Sequence, residues 1–181
     1  MLSCLRESTE WIATEKIDGT STTIARDADG RLIVCGRNWE IRAGDNLYWN
    51  AVRANRLDEM VGPGEALQAE VYGEGIQANP LKVRGVHTAV FGLWRGRRLL
   101  SMADWPEAVR ALGAPVMPDV HLGASVAEMV AQANGLRSVV SPAQLAEGIV
   151  WHSADGRVFP ELDGRASFKV VSNAWLLKHG G

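Results

Sequence analysis

Apolar and polar positions alternate through two short segments near the start of the chain. Ile12 to Lys16 and Thr20 to Arg26 have strand composition, and Asp18-Gly19 separates them. "RDADGR" supplies a second turn through Asp29-Gly30, and Leu32 to Arg37 returns as the partner strand of a hairpin. From Asn46 to Val61 the period changes. Leu47, Val52 and Leu57 recur at roughly helical spacing, and "GPG" ends the segment. Strand patterns resume at "ALQAEVYG" (66–73) and "HTAVFGLW" (87–94), and Arg95-Gly96 turns the chain into Arg97 to Leu100. Two further helices are predicted. Ala103 to Leu112 is stopped by Gly113 and Pro115, and Val126 to Asn134 has Ser125 and Glu128 as a capping box and Gly135 as C-cap. "EGIVWHS" (147–153), an "ADG" turn and "ASFKVV" (166–171) then read as antiparallel strands. The class is α+β, with antiparallel sheets flanked by helices, and a single domain over 1–181 is expected.

Composition changes this picture little. The chain has 181 residues, 46% apolar and 22% charged, with a net charge of −2. That suits an ordinary folded domain and excludes a protein that coats nucleic acid nonspecifically, though it permits a local basic patch. Cys4 and Cys35 lie far apart with no CxxC, so neither a zinc site nor a disulfide framework is expected. The start, "MLSCLREST", is no secretory signal, and no apolar run approaches the ~20 residues of a membrane span. A cytoplasmic location is the expectation.

Chemistry enters with "TEKIDGTSTTI" (14–24), which places Lys16 at the lip of a turn between two apolar strands. A lone lysine there is ordinarily a solvated strand end. "EKIDGTS", however, resembles the K-x-D-G motif of the covalent nucleotidyltransferases, the superfamily of DNA and RNA ligases and mRNA capping enzymes. Later motifs of that superfamily follow in order. "CGRNWE" offers Arg37 and Asn38, "AEVYGEGIQANP" offers Glu70, "TAVFGLW" offers Phe91, "EGIVWH" offers Glu147, and "SFKVVSNAWLL" offers Lys169. The G-x-G-I-Q-x-N segment is similar to RNA ligases rather than to DNA ligases or capping enzymes. The resemblance covers Trp11 to Leu177.

It implies an ATP-grasp-like nucleotidyltransferase domain acting as an ATP-dependent RNA ligase, with ATP and Mg²⁺ or Mn²⁺ as cofactors. Its partner would be RNA bearing a 5′-phosphate and a 3′-hydroxyl. Lys16 is then the nucleophile that becomes lysine-AMP, and Lys169 its catalytic neighbour on the α-phosphate. An attacking amine must be neutral, whereas free lysine titrates near ~10.4, so burial and a nearby cation are expected around it. Glu147 is the implied ligand of the metal or its water. Glu70 is assigned to the ribose hydroxyls, Arg37 to the ribose and later the RNA phosphate, and Phe91 to stacking on adenine. Glu15 is placed to accept from the adenine amine, which would disfavour GTP. Gly19 is expected to permit the turn that exposes Lys16.

Between Gly75 and Ala103 there is no acidic residue, while Lys82, Arg84, Arg95, Arg97 and Arg98 add five positive charges. Lys82 and Arg84, with Arg37 and Asn38, are candidate RNA contacts. Trp39, Trp49 and Trp94 are candidates for stacking, with core packing the default for most of the seven tryptophans. Two features depart from the pattern. The last motif reads Lys169-Val170-Val171 where many relatives have K-x-K, and the chain stops without a C-terminal oligonucleotide-binding or helical domain. A partner subunit or domain for substrate binding is therefore an option. The alternatives are a capping-type guanylyltransferase and a non-catalytic RNA-end-binding module.

Overall fold

In a computed structural model that describes residues 10–122, 125–159 and 164–179, the chain forms two compact units. Cys4 and the start of the chain lie outside the described residues. The first unit comprises the chain up to Ile17 together with Ala114 onward, and the second runs from Asp18 to Gly113.

The first unit is built on a three-stranded antiparallel sheet in the order β1 (Trp11–Lys16), β7 (Gly148–Ser153), β10 (Ser167–Val171). Its core-facing positions alternate as the strand period demands. Ala13, Ile149 and Trp151 are buried with Phe168 and Val170 packed on them, and Ala133 of helix α3 (Val126–Ala133) closes the cluster. β1 is not a free edge. Beyond it, Glu15 N donates to Pro115 O at 2.8 Å and Met117 N to Ala13 O at 2.9 Å. The Ser125 cap expected from the sequence forms, its hydroxyl accepting from Glu128 N at 3.2 Å. A two-stranded ribbon, β8 (Val158–Phe159) with β9 (Gly164–Arg165), and helix α4 (Asn173–His179) complete the unit.

The second unit is a five-stranded antiparallel sheet in the order β3 (Leu32–Cys35), β2 (Thr20–Arg26), β4 (Glu65–Gly73), β5 (Val86–Arg95), β6 (Arg98–Leu99). Ile24, Val34, Leu67, Ala69, Val90 and Leu93 face its core. They pack against Val52 of α1 (Leu47–Asn55) and Val109 of α2 (Glu107–Ala111).

Both helices in this unit are shorter than their sequence patterns suggest, for identifiable reasons. α1 starts at Asn46, whose side chain accepts from Trp49 N, and ends where Arg56 turns left-handed at φ 52°. Five residues along an unbroken helix lie about 140° round the axis, so Leu57 would face away from Val52. The break and a 3₁₀ turn over Leu57–Glu59 return Leu57 to the core. In the expected helix from Ala103 to Leu112, Pro106 forces Trp105 into an extended conformation and splits the segment into a 3₁₀ turn and α2. α4 follows a helix-start signal, Ser172 and Asn173 before "AWLLK", and the Ser172 hydroxyl accepts from Trp175 N at 3.3 Å.

His152, on β7, is 7% exposed and lies beside Thr14 of β1, with Thr14 Oγ1 and His152 Nε2 3.0 Å apart. The Thr14 hydroxyl donates to Val150 O at 3.3 Å, so it accepts from an Nε2–H, which makes the imidazole the neutral Nε2 tautomer. Burial first, and the Arg165 charge second, push the His152 pKa down to about 3. Unfolded histidine takes up a proton below pH ~6.5, whereas the folded chain resists it to about pH 3. Stability from this residue is therefore full above pH ~6.5 and falls as pH drops toward 3, by an amount on the order of 5 kcal/mol. Urea unfolding between about pH 4 and 7 is expected to show this acid slope, and His152→Gln to lose most of it. An identical slope in the variant would assign the acid sensitivity elsewhere.

Candidate active site

Lys16 is the last residue of β1, held between β7 on one side and the Pro115–Met117 segment on the other. Strand period puts Ile12, Thr14 and Lys16 on one face, and Ala13 and Glu15 on the face that meets the core. The register pairs Lys16 with Gly148, the first residue of β7, so Glu147 immediately precedes the row in which Lys16 sits. Its carboxylate accepts from the lysine amine, Lys16 Nζ to Glu147 Oε1, at 2.6 Å. The two side chains are 20% and 11% exposed, so this is a largely desolvated pair. The neighbour seated directly on the lysine is thus a carboxylate.

Lys169 occupies the same sheet face as Lys16 but on the far strand and one row along, opposite Val150 rather than Gly148. Two strand spacings and two residues of rise separate the lysine Cα atoms by roughly 12 Å. Lys169 is solvent-exposed. The two amines are placed to flank a group lying over β7, not to touch one another. Gly148, which had drawn no attention in the sequence, explains how β10 comes so close. A Cβ built on it would fall 2.1 Å from Val170 O and 2.9 Å from Val171 Cα.

Glu15 points the other way and is 2% exposed. Its Oε2 accepts from two successive backbone amides, Val139 N at 2.7 Å and Val140 N at 3.3 Å. Its Oε1 is buried with no hydrogen-bond partner among the described residues. Desolvation raises the Glu15 pKa, against the lowering influence of Ser138 and the two amides. A buried carboxylate that keeps one acceptor unused is costly unless a donor arrives to fill it. The 138–140 segment that grips Glu15 carried no sequence signal, being an unremarkable Ser-Val-Val.

The second unit holds the remaining candidates. Gly19 begins it and lies against β4, where a Cβ would meet Val71 O at 2.3 Å and Glu70 Cγ at 2.9 Å. Its backbone is not in the left-handed region, so the expectation that glycine is needed for the turn is corrected. Glycine is required there for close approach to Glu70 and Val71. Gln77, from the G-x-G-I-Q-x-N segment, donates to Gly19 O at 3.0 Å and ties the same corner down. Glu70 is half-buried in the middle of the sheet, registered with Ser21 on β2 and Ala89 on β5. Phe91 is the extra residue of a β-bulge. Ala69 pairs with Val90 and Gln68 with Gly92, so Phe91 is the residue inserted between the two pairs, and it is half-buried. Bulges of this kind re-aim a side chain beside a site.

The basic stretch does not form one patch. Lys82 and Arg84 precede β5, while Arg95 ends it and Arg97 and Arg98 follow, so the length of β5 separates the groups by roughly 30 Å. Arg95 is also paired with Glu65 at 2.9 Å. Lys82 and Arg84 are exposed on a loop in which Gln77, Asn79 and Lys82 all adopt positive φ of 48°, 45° and 53°. Such strain persists where surrounding bonds over-determine it. Here Asn79 and Val83 exchange two hydrogen bonds, Asn79 Nδ2 to Val83 O and Val83 N to Asn79 Oδ1. Arg37 and Asn38 are exposed in the turn after β3.

For a metal ion, no group of three or more His, Cys, Asp or Glu side chains among the described residues could form a cage. Glu147 offers hard oxygen beside Lys16. This suits an ion of the Mg²⁺ type, which takes one or two carboxylates and draws the rest of its shell from phosphate and water. No helix among the described residues is long and apolar enough to cross a membrane.

The RNA ligase family model matches residues 9–171. Among solved structures, a variant of Naegleria gruberi RNA ligase with ATP and Mn is similar, with a TM-score of 0.81 and 29% identity across 99% of this chain and 55% of that one. A variant with AMP and Mn has a TM-score of 0.80, with 29% identity over 99% and 55%. The same ligase with PPi has a TM-score of 0.77, with 31% identity over 94% and 51%. The chain thus spans about half the length of these structures. No curated protein sequence matches it significantly.

Proposed function

The chain belongs to the RNA ligase family, and on that premise we propose that it is an ATP-dependent RNA ligase, or its adenylyltransferase domain, working through Lys16-AMP. The single observation that carries the reading is the Lys16 amine. It stands at the end of a strand braced on both edges, 2.6 Å from Glu147 and next in sequence to a buried carboxylate with an unused acceptor.

The proposed reaction comprises three transfers. In the first, the Lys16 nitrogen forms a bond to the α-phosphorus of ATP, the bond to the β-phosphate oxygen breaks, and pyrophosphate leaves. In the second, an oxygen of the RNA 5′-phosphate attacks the same phosphorus, the phosphoramidate bond breaks, and the amine is regenerated. In the third, the RNA 3′-hydroxyl attacks the 5′-phosphorus, loses its proton, and AMP departs. Lys169, on the same face one row away, is suited to hold non-bridging phosphate oxygens. Positioning and charge neutralisation supply most of the catalysis in phosphoryl transfer.

Glu147 would hold the divalent ion, which when bound neutralises charge on the phosphates. The same carboxylate accepts from the Lys16 amine at Oε1, so Glu147 would serve both the lysine and the ion. Glu15 Oε1 takes the adenine amine, a donor that guanine lacks at the corresponding position. Glu70 bonds the ribose, Phe91 stacks on the base, and Arg37, Asn38, Lys82 and Arg84 contact RNA. The Naegleria ligase has been solved with ATP and with PPi, the substrate and the leaving group of the first transfer, and with AMP, which departs in the third.

Incubation with α-labelled ATP and Mg²⁺ or Mn²⁺ is expected to leave one acid-labile AMP on the protein, absent in Lys16→Ala. No adduct with any divalent metal would end this reading, and labelling by GTP instead would select a guanylyltransferase. Glu15→Gln keeps an acceptor for Val139 and Val140 but turns the unused oxygen into a donor. Loss of a charge-assisted hydrogen bond of ~1.5–3 kcal/mol predicts a ~10- to 100-fold higher KM for ATP and a shift toward GTP. An unchanged ATP-to-GTP preference would remove Glu15 from base recognition.

A further inference from the structure

Trp39 stands apart from the other six tryptophans. Trp11 packs edge-on against Phe168, and Trp49 and Trp94 donate their ring N–H groups to Ile41 O and the Gln68 side chain. Trp105, Trp151 and Trp175 are buried. Trp39 is 78% exposed, at the crest of the turn after β3. A single exposed apolar side chain needs no explanation by itself. The turn that carries it does.

That turn is rigid beneath the ring. Gly36 N donates to Trp39 O at 3.0 Å, Ile41 N to Val34 O at 2.7 Å, and Cys35 bridges to Glu40. Gly36 lets the turn sit on the Tyr48 ring, since a Cβ there would fall 2.8 Å from the Tyr48 hydroxyl oxygen. The acidic residue of the turn, Glu40, is held away by Arg31 at 3.0 Å. What remains displayed is Arg37, Asn38 and Trp39, all exposed and side by side. A guanidinium, an amide and an indole face on a fixed backbone are the three groups that hold a nucleic-acid strand: one for phosphate, one for a base edge, one for stacking.

We infer that Trp39 is a base-stacking platform for one strand of the RNA substrate, with Arg37 on the adjoining phosphate. The inference rests on the RNA-joining reading above and names a residue which that reading does not use. A stacked base on an otherwise solvated indole contributes in a sequence-tolerant way, because every base has a π-face. A protein partner is the less suitable occupant, since the ring is flanked along the turn by the exposed polar residues Arg37, Asn38 and Glu40 rather than by an apolar patch.

The test uses the full chain as wild type, Trp39→Ala and Trp39→Phe. Binding of a fluorescein-labelled, 5′-phosphorylated single-stranded RNA is read by anisotropy, and AMP attachment is read separately without RNA. Trp39→Ala is expected to bind RNA at least about fivefold more weakly, with Trp39→Phe recovering most of the loss and the rate of AMP attachment changing less than twofold. Titration should also quench wild-type indole fluorescence, with that component missing in Trp39→Phe. Equal RNA affinity in wild type and Trp39→Ala would overturn the assignment. So would a parallel fall in AMP attachment, which would place the ring on the nucleotide instead. Because RNA binding is measured without the adduct, failure of the wild type to take AMP would sink the ligase reading and leave the stacking test decisive.

Discussion

One constraint places the 2.6 Å contact from the Lys16 amine to Glu147, the antiparallel register of β1 on β7. It sets Lys16 against Gly148, so a residue that ends one strand meets the residue that introduces another. Shift that pairing by one position and every side chain on β1 exchanges faces, leaving the lysine in the core and Glu15 in solvent. The register is secured by what lies behind it. Ala13, Ile149, Trp151 and Phe168 interlock on the opposite face, and β1 is bonded along both edges. The direction of the Lys16 amine is therefore a consequence of ordinary sheet packing.

Adjacent residues do unlike jobs because a strand has period two. Lys16 lies on one face of β1 beside Glu147, and Glu15, one peptide away, is buried on the other face with its Oε2 accepting from two backbone amides. Its raised pKa records that two amides do not fully replace water. Two side chains with unlike surroundings thus sit one residue apart on opposite faces of β1.

The second unit shows how close packing and irregularity share the work. Gly19 is glycine because Val71 O and Glu70 Cγ leave no room for a methyl group, and Gln77 fastens the same corner. Phe91 is set off from its neighbours by one inserted residue, and Lys82 is presented from a left-handed backbone. None of these devices is visible in hydropathy.

Local pattern made much of the chain legible: the alternation of β1, β2, β4 and β5, the Asn46 and Ser125 starts, and the ordered motif residues from Lys16 to Lys169 follow from residue type and spacing. Helix lengths were misjudged because the Pro106 and Arg56 conformations answer to core demands that sequence spacing does not express. The supposed basic patch dissolved because β5 carries its two halves to opposite ends of a strand. The sequence by itself determined which residue types were available and in which order, since propensity and periodicity act over a few neighbours. Tertiary structure alone decided which carboxylate touches the lysine, which oxygen of Glu15 stays open, why Gly19 and Gly148 must be bare, and that one tryptophan of seven faces water. Each of those depends on atoms brought together from distant positions, where a shift of one or two ångströms changes the answer.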